Sequence, residues 1–143
     1  MQECVFCEII AGRAPASMIY QDDSCIAFMD IMPVNAGHLL VLPIKHATCL
    51  ANLDSPTGSR LFEVAQRLAA AVKKSGLRAE GINLLLADGE AAGQSVFHVH
   101  LHVLPRFAGD GFGHRFPANY GQRPMREQLD SDASAIRLAI GPA

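Results

Sequence analysis

The sequence predicts an α+β domain built on an antiparallel sheet, and three observations carry that prediction. Short apolar segments at 18–21, 25–29, 38–43 and 82–86 are separated by turn residues. One strong helical period runs from Leu61 to Val72. His98, His100 and His102 alternate with Val99, Leu101 and Val103, which is the period of a strand with one apolar face. Strands linked by short turns, with a single main helix between them, suit antiparallel pairing better than parallel crossovers.

The elements follow in order. Residues 18–21 and 25–29 flank Asp22-Asp23-Ser24, a tight turn between two hairpin strands. The turn residues of 33–37 form a loop, so His38 opens the next apolar strand, which Pro43 ends. Ser55 is the expected N-cap of the helix and Pro56 its first residue; Leu61, Val64, Ala65, Leu68, Ala71 and Val72 line one face until Gly76 stops it. Residues 82–86 read as a buried strand that turns at Asp88-Gly89 into the loop 89–93 and then the histidine strand. Beyond Phe107, Gly109, Gly111 and Gly113 mark a flexible loop, and 124–140 is the remaining stretch able to form a helix.

A chain of 143 residues, half of them hydrophobic, fits one domain with a real core. Twelve Lys and Arg against 14 Asp and Glu give a net charge of -2, which offers no general attraction to nucleic acid or to a membrane surface. The apolar runs are too short for a membrane span and the N-terminal residues lack the pattern of a signal peptide, so the expected compartment is the cytoplasm. Thiols stay reduced there, so the four cysteines are not expected to form a disulfide framework. Cys25 and Cys49, among apolar neighbours, read as buried small hydrophobes. Cys4 and Cys7 have the spacing of a metal or redox pair.

The alternation puts three imidazoles on one strand face, spaced about 7 Å apart. That face can hold a metal or present a nucleophile with helpers. Immediately upstream, Gly93-Gln94-Ser95 supplies an unobstructed backbone, an amide and a hydroxyl that can donate to phosphate oxygens. Beside such donors, a nucleophilic imidazole suits phosphoryl or nucleotidyl transfer better than bare metal binding. A hydrolase holding one ion on all three histidines is the metal-dependent alternative.

With these residues in place, the sequence resembles the histidine-triad family of nucleotide hydrolases and transferases. The resemblance runs back through Phe28, Asp30 and Ile31, the 33–38 loop with its His38, the 40–43 strand, Lys45-His46 and Asn83, covering roughly 4–107 and leaving 108–143 as a C-terminal extension. It is similar to the Hint branch of purine nucleotide phosphoramidases. The resemblance implies a five-stranded HIT-like protomer that pairs into a homodimer. It also implies that His100 attacks the α-phosphorus of a purine nucleoside phosphoramidate, forming a nucleotidyl-histidine, with His102 and His38 serving the same phosphate. Asp30 would hold the ribose; Phe6, Phe28 and Ile31 would line the base slot; Gln94 and Ser95 would donate to the phosphate.

Certain bacterial members join an N-terminal Cys-x-x-Cys to two histidines, which here are His46 and His98, so the resemblance implies a structural zinc on Cys4, Cys7, His46 and His98. The sequence departs from the Hint pattern at Ala87-Asp88, where that branch carries asparagine, which leaves substrate preference open. Asp88-Gly89, Pro105-Arg106 and Ala108-Gly109-Asp110 also resemble the Fhit branch, making dinucleoside polyphosphate hydrolysis an alternative. A nucleotide-binding regulatory protein with incidental turnover is another.

Overall fold

The computed structural model describes residues 4–140. They form two compact units, the first ending at Phe112 and the second starting at Gly113. The first unit holds α1 (Val5–Ile10), α2 (Ser55–Lys74) and five strands: β1 (Met18–Gln21), β2 (Cys25–Met29), β3 (Leu39–Pro43), β4 (Gly81–Leu86) and β5 (Leu101–Arg106). The strands make one antiparallel sheet in the order β1-β2-β3-β5-β4. This is the α+β architecture, with a five-stranded antiparallel sheet and one dominant helix, that the sequence predicts.

Alternation along the central strands sorts the core into two layers. Cys25, Ala27, Leu39, Val41, Val99, Leu101 and Val103 face α2, against Leu61, Val64, Ala65, Leu68 and Val72. Each large aliphatic side chain buried there contributes about 1.5–3 kcal/mol. Ile26, Phe28, Leu40 and Leu42 face the other way and pack with Phe6 of α1. Both faces of β2 and β3 are therefore covered, which is why those strands read as continuous apolar runs.

The hairpin 18–29 forms as expected, its turn closed by Asp22 Oδ1, which accepts from the backbone N–H of Ser24 and Cys25 at 2.8 and 2.7 Å. The helix cap lies one residue earlier than expected. Asp54, not Ser55, accepts from Thr57 N–H at 2.9 Å, and its carboxylate complements the helix N-terminus better than a hydroxyl would. The strand expected to be buried at 82–86 is an edge strand; among the described residues β4 pairs only with β5, and Leu84 stays 36% exposed. Cys25 is buried, but Cys49 is half-exposed and its thiol donates to Asn52 Oδ1 at 2.9 Å.

The sheet ladder of the histidine strand begins only at Leu101. His98 and His100 lie in the extended approach to it, where Val99 N–H donates to Ala47 C=O at 2.7 Å. The alternation persists nonetheless, since Val99 packs with Leu101 and Val103 in the α2 layer. His102 pairs with Leu40, a residue of the α1 layer, so the imidazoles lie on the α1 face. The helix α1 was not expected. Nor is the stretch 107–112 loose: Asp110 takes the Arg106 guanidinium and the N–H groups of Phe107 and Phe112. In the second unit Phe116 and Tyr120 stack at 3.9 Å, and α3 (Arg126–Ile140) lies within the expected 124–140. No helix of the described residues is long and apolar enough to cross a membrane.

Candidate functional site

A cavity of about 780 Å³ opens on the α1 face of the sheet. Phe6, Phe28, Asp30, Ile31, Ser95, His100 and His102 all line it, so seven of the expected site residues meet at one place. Val5 and Ile9 also line it. The sequence reading missed them because α1 was missed, although Val5, Phe6 and Ile9 have the spacing of one helix face. Ile31 is 92% exposed and stands at the rim, while Phe6 is buried against Phe28 in an edge-to-face pair at 5.6 Å. Among the described lining residues there is no lysine or arginine.

His100 is buried, and its Nδ1–H donates to the carbonyl of His98 at 2.7 Å. A carbonyl only accepts, so the proton sits on Nδ1 and the neutral ring keeps its lone pair on Nε2. The ring packs 5.2 Å from Phe6 and 4.9 Å from His102.

A second chain of hydrogen bonds fixes the next two imidazoles. Val34 N–H donates to His38 Nδ1 at 3.1 Å, which leaves the proton of neutral His38 on Nε2. That Nε2 lies 2.9 Å from His102 Nδ1 and 3.5 Å from Asp30 Oδ2, so the shorter bond runs to His102. His102 accepts at Nδ1 and carries its own proton on Nε2. Both rings are held neutral: burial pushes the His102 pKa down to about 4, with His100 and His38 adding to the effect against Asp30, and burial lowers His38 as well.

Gln94 is placed differently from the expected phosphate donor. Its Oε1 accepts from Gly89 N–H at 2.7 Å and its Nε2 donates to Thr48 C=O at 2.8 Å, so the amide staples the loop that carries Ser95. Asp88, of the Ala87-Asp88 pair, accepts from Leu50 N–H at 2.8 Å and joins the same two loops.

Behind the triad, one ligand atom each of Cys4, Cys7, His46 and His98 lies within 4.8 Å of the others. Cys7 Sγ is 3.3 Å from His46 Nδ1, Cys4 Sγ 3.5 Å from His98 Nδ1, Cys7 Sγ 3.7 Å from His98 Nδ1, and the two Nδ1 atoms are 3.2 Å apart. A tetrahedral ion with bonds of about 2.3 Å to sulfur and 2.05 Å to nitrogen needs edges of roughly 3.3–3.8 Å. His98 Nε2–H donates to Pro43 C=O at 2.8 Å, which turns a bare Nδ1 toward the thiols. The donor set therefore fits a four-coordinate metal. Asp30, His38 and His102 also stand close enough to be ligands. There, however, the Val34 N–H occupies His38 Nδ1 and puts a proton on the nitrogen a metal would need. The three triad imidazoles do not share one ligand group among the described residues, which removes the geometry that a hydrolase with one ion on all three would require.

The HIT domain model matches residues 11–109. The protein hit of Bacillus subtilis is 40% identical over 140 residues, 96% of each chain. An adenylylsulfatase of Arabidopsis thaliana is 38% identical over 134 residues, covering 94% of this chain and 66% of that one. A crystal structure of a zinc-bound histidine triad family protein from Mycobacterium smegmatis superposes with a TM-score of 0.75 at 40% identity, covering 96% of this chain and 97% of the other. The triad has the family's catalytic arrangement, consistent with nucleotidyl-histidine chemistry, and the chain belongs to the HIT domain family.

Proposed function

We propose that this protein hydrolyses purine nucleoside phosphoramidates or closely related nucleotidyl compounds through a nucleotidyl intermediate on His100. The observation that carries the reading is the 2.7 Å bond from His100 Nδ1–H to the His98 carbonyl, which leaves Nε2 unprotonated on a cavity-lining ring. Nε2 attacks the α-phosphorus, the phosphorus–nitrogen bond to the leaving amine breaks, and the amine departs with a proton taken from water. Water then cleaves the phosphorus–imidazole bond, giving the nucleoside monophosphate and free His100. His102 donates a hydrogen bond from Nε2 to the departing nitrogen on that phosphorus, and His38 holds His102 in that tautomer. Ser95 donates to a phosphate oxygen while Gln94 secures its loop. Asp30 accepts from the ribose hydroxyls, and Phe6, Phe28 and Ile31 enclose the base.

The lining charge favours this substrate class over dinucleoside polyphosphates. A chain of anionic phosphates would meet the Asp30 carboxylate and no lysine or arginine, whereas a phosphoramidate brings one anionic phosphate and an amine. The name of the Arabidopsis relative supports an adenylyl group at the reacting phosphorus. Cys4, Cys7, His46 and His98 would hold zinc, as the zinc-bound mycobacterial relative supports; with four protein ligands the site would be a structural one, fastening α1 to the triad. A homodimer in the cytoplasm completes the reading, with the free edge of β4 available to a second copy.

Turnover of adenosine phosphoramidate measured beside diadenosine polyphosphates tests it. The reading expects the phosphoramidate to be preferred and the His100→Ala variant to be inactive. Preferred polyphosphate cleavage would favour the Fhit-like alternative, and nucleotide binding without turnover in the unmodified protein would favour a regulatory role.

A further inference from the structure

The turn that carries His38 is fastened at a point remote from the cavity. Asn35 uses both hydrogens of its amide there, donating to Pro105 C=O and to Asp110 Oδ2, each at 2.9 Å. The Asp110 side chain is 3% exposed and is fixed in turn by Arg106 Nε at 2.6 Å, by a second Arg106 nitrogen at 2.9 Å, and by the N–H groups of Phe107 and Phe112. Arg106 also donates to Asn83 Oδ1 at 2.6 Å, which ties the anchor to β4. At its other end, Asn35 C=O accepts from His38 N–H at 3.1 Å and closes the turn. The preceding residue, Val34, sends its N–H to His38 Nδ1.

We propose that Asn35 is a positioning residue for the chemistry of this site: by fastening the 33–38 turn to the end of β5 it keeps the Val34 N–H on His38 Nδ1, and so fixes His102 as the Nε2–H tautomer. The inference rests on the reaction proposed above. Val34 is an exposed residue of that turn. If the turn loosens, neutral His38 can move its proton to Nδ1 and accept at Nε2 from His102 Nδ1–H. His102 Nε2 then carries a lone pair, a donor has become an acceptor, and the departing nitrogen meets a lone pair where it met a hydrogen bond. Asp30 Oδ2, at 3.5 Å from His38 Nε2 and 3.8 Å from His102 Nδ1, is too distant from both to impose the tautomer itself.

Histidine 15N NMR of the full chain reads the tautomers directly. In the unmodified protein His102 should show a protonated Nε2 and an unprotonated Nδ1; the reverse assignment overturns the proposal without any variant. In Asn35→Ala the His38 and His102 signals should move toward mixed tautomers. The kcat for adenosine phosphoramidate should fall about 10²-fold with KM within about twofold. A nucleoside phosphate with a p-nitrophenolate leaving group, which departs without a proton, should lose less than about threefold.

Asn35→Asp, of the same shape but without the amide hydrogens, should behave the same way and carries the test if the alanine variant does not fold. A purely structural role would lower stability and depress both substrates equally, with the tautomers unchanged, and that result overturns the proposal. Failure to detect a nucleotidyl adduct on His100 in the unmodified protein would overturn the reaction instead, so the two failures are distinguishable.

Discussion

The carbonyl oxygen of His98 stands 2.7 Å from Nδ1 of His100, and this bond divides the work of the triad. His98 turns its ring toward Cys4, Cys7 and His46 while its backbone orients the neighbouring imidazole. Two residues apart in one extended segment, one side chain serves a metal-ligand cluster and the other the cavity. Phe6 bridges them, with its ring 6.0 Å from His98 and 5.2 Å from His100, on a helix that begins between the two cysteines.

That division separates two substitutions. His100→Ala should reduce turnover of adenosine phosphoramidate by about 10³-fold or more, with a far-ultraviolet spectrum like that of the unmodified protein. His98→Ala removes a fully buried ring, leaves the Pro43 carbonyl without its donor, and should cost about 2–4 kcal/mol in denaturant unfolding. Equal stability loss in both, with equal residual turnover, would contradict the separate roles.

The cluster of Cys4, Cys7, His46 and His98 should bind one zinc per chain, measured by elemental analysis of dialysed protein. Cys7→Ser should release it and lower the melting temperature, because a metal held there would fasten a six-residue helix that has no side-chain N-cap. Metal removal from protein that stays folded should leave the His100 adduct able to form. Complete loss of that adduct in a folded, metal-free chain would mean that the ion takes part in the chemistry.

Acid should destabilise the fold through His102 and His38. The His102 pKa lies at about 4 in the folded chain against the ordinary 6.5, and His38 is shifted in the same direction. Between those values the unfolded chain takes up a proton that the folded chain refuses, so stability present above pH 6.5 is lost as pH falls toward 4. His102→Asn removes one such group. Its melting temperature, followed from pH 7 to 4 at fixed metal content, should fall less steeply than that of the unmodified protein; a parallel fall would place the His102 pKa near its ordinary value.

Gly37 precedes His38 at a φ of +90°, and a Cβ there would lie 2.9 Å from Leu77 Cδ1 and 3.2 Å from Pro105 Cγ. Gly37→Ala therefore combines left-handed backbone strain with a close approach, and should cost about 1–3 kcal/mol. It should also reduce turnover, since the same peptide positions His38. Gly12→Ala, at a φ of +74° with open space around it, is the control for backbone strain alone and should cost less.

Much of the fold was legible because it depends on local pattern. The hairpin about Asp22, the continuous apolar runs of β2 and β3, and the face of α2 from Leu61 to Val72 each follow from local composition, side-chain period and turn chemistry. The histidine face was legible for the same reason. α1 was not: six residues without a side-chain cap carry little helical signal and are held by Phe6 packing and the cysteine pair. The role of Gln94 depends on Thr48, 46 residues away, and that of Asn35 on Pro105 and Asp110, 70 and 75 residues away. Such bonds leave no periodic trace. Gly109 and Gly111 suggested a mobile loop because composition does not reveal a carboxylate that collects the N–H groups around it.

The central claim is a covalent nucleotidyl group on His100, and acid-quenching is unsuitable for a phosphorus–imidazole bond. The direct measurement mixes the protein with adenosine phosphoramidate, quenches in alkali within the first turnover, and maps the modified peptide by mass spectrometry. The account predicts an added adenylyl mass on the peptide containing 95–106, placed at His100 by fragmentation and absent from His100→Ala. An adduct on His98 or His102, or turnover that persists in His100→Ala, would contradict it.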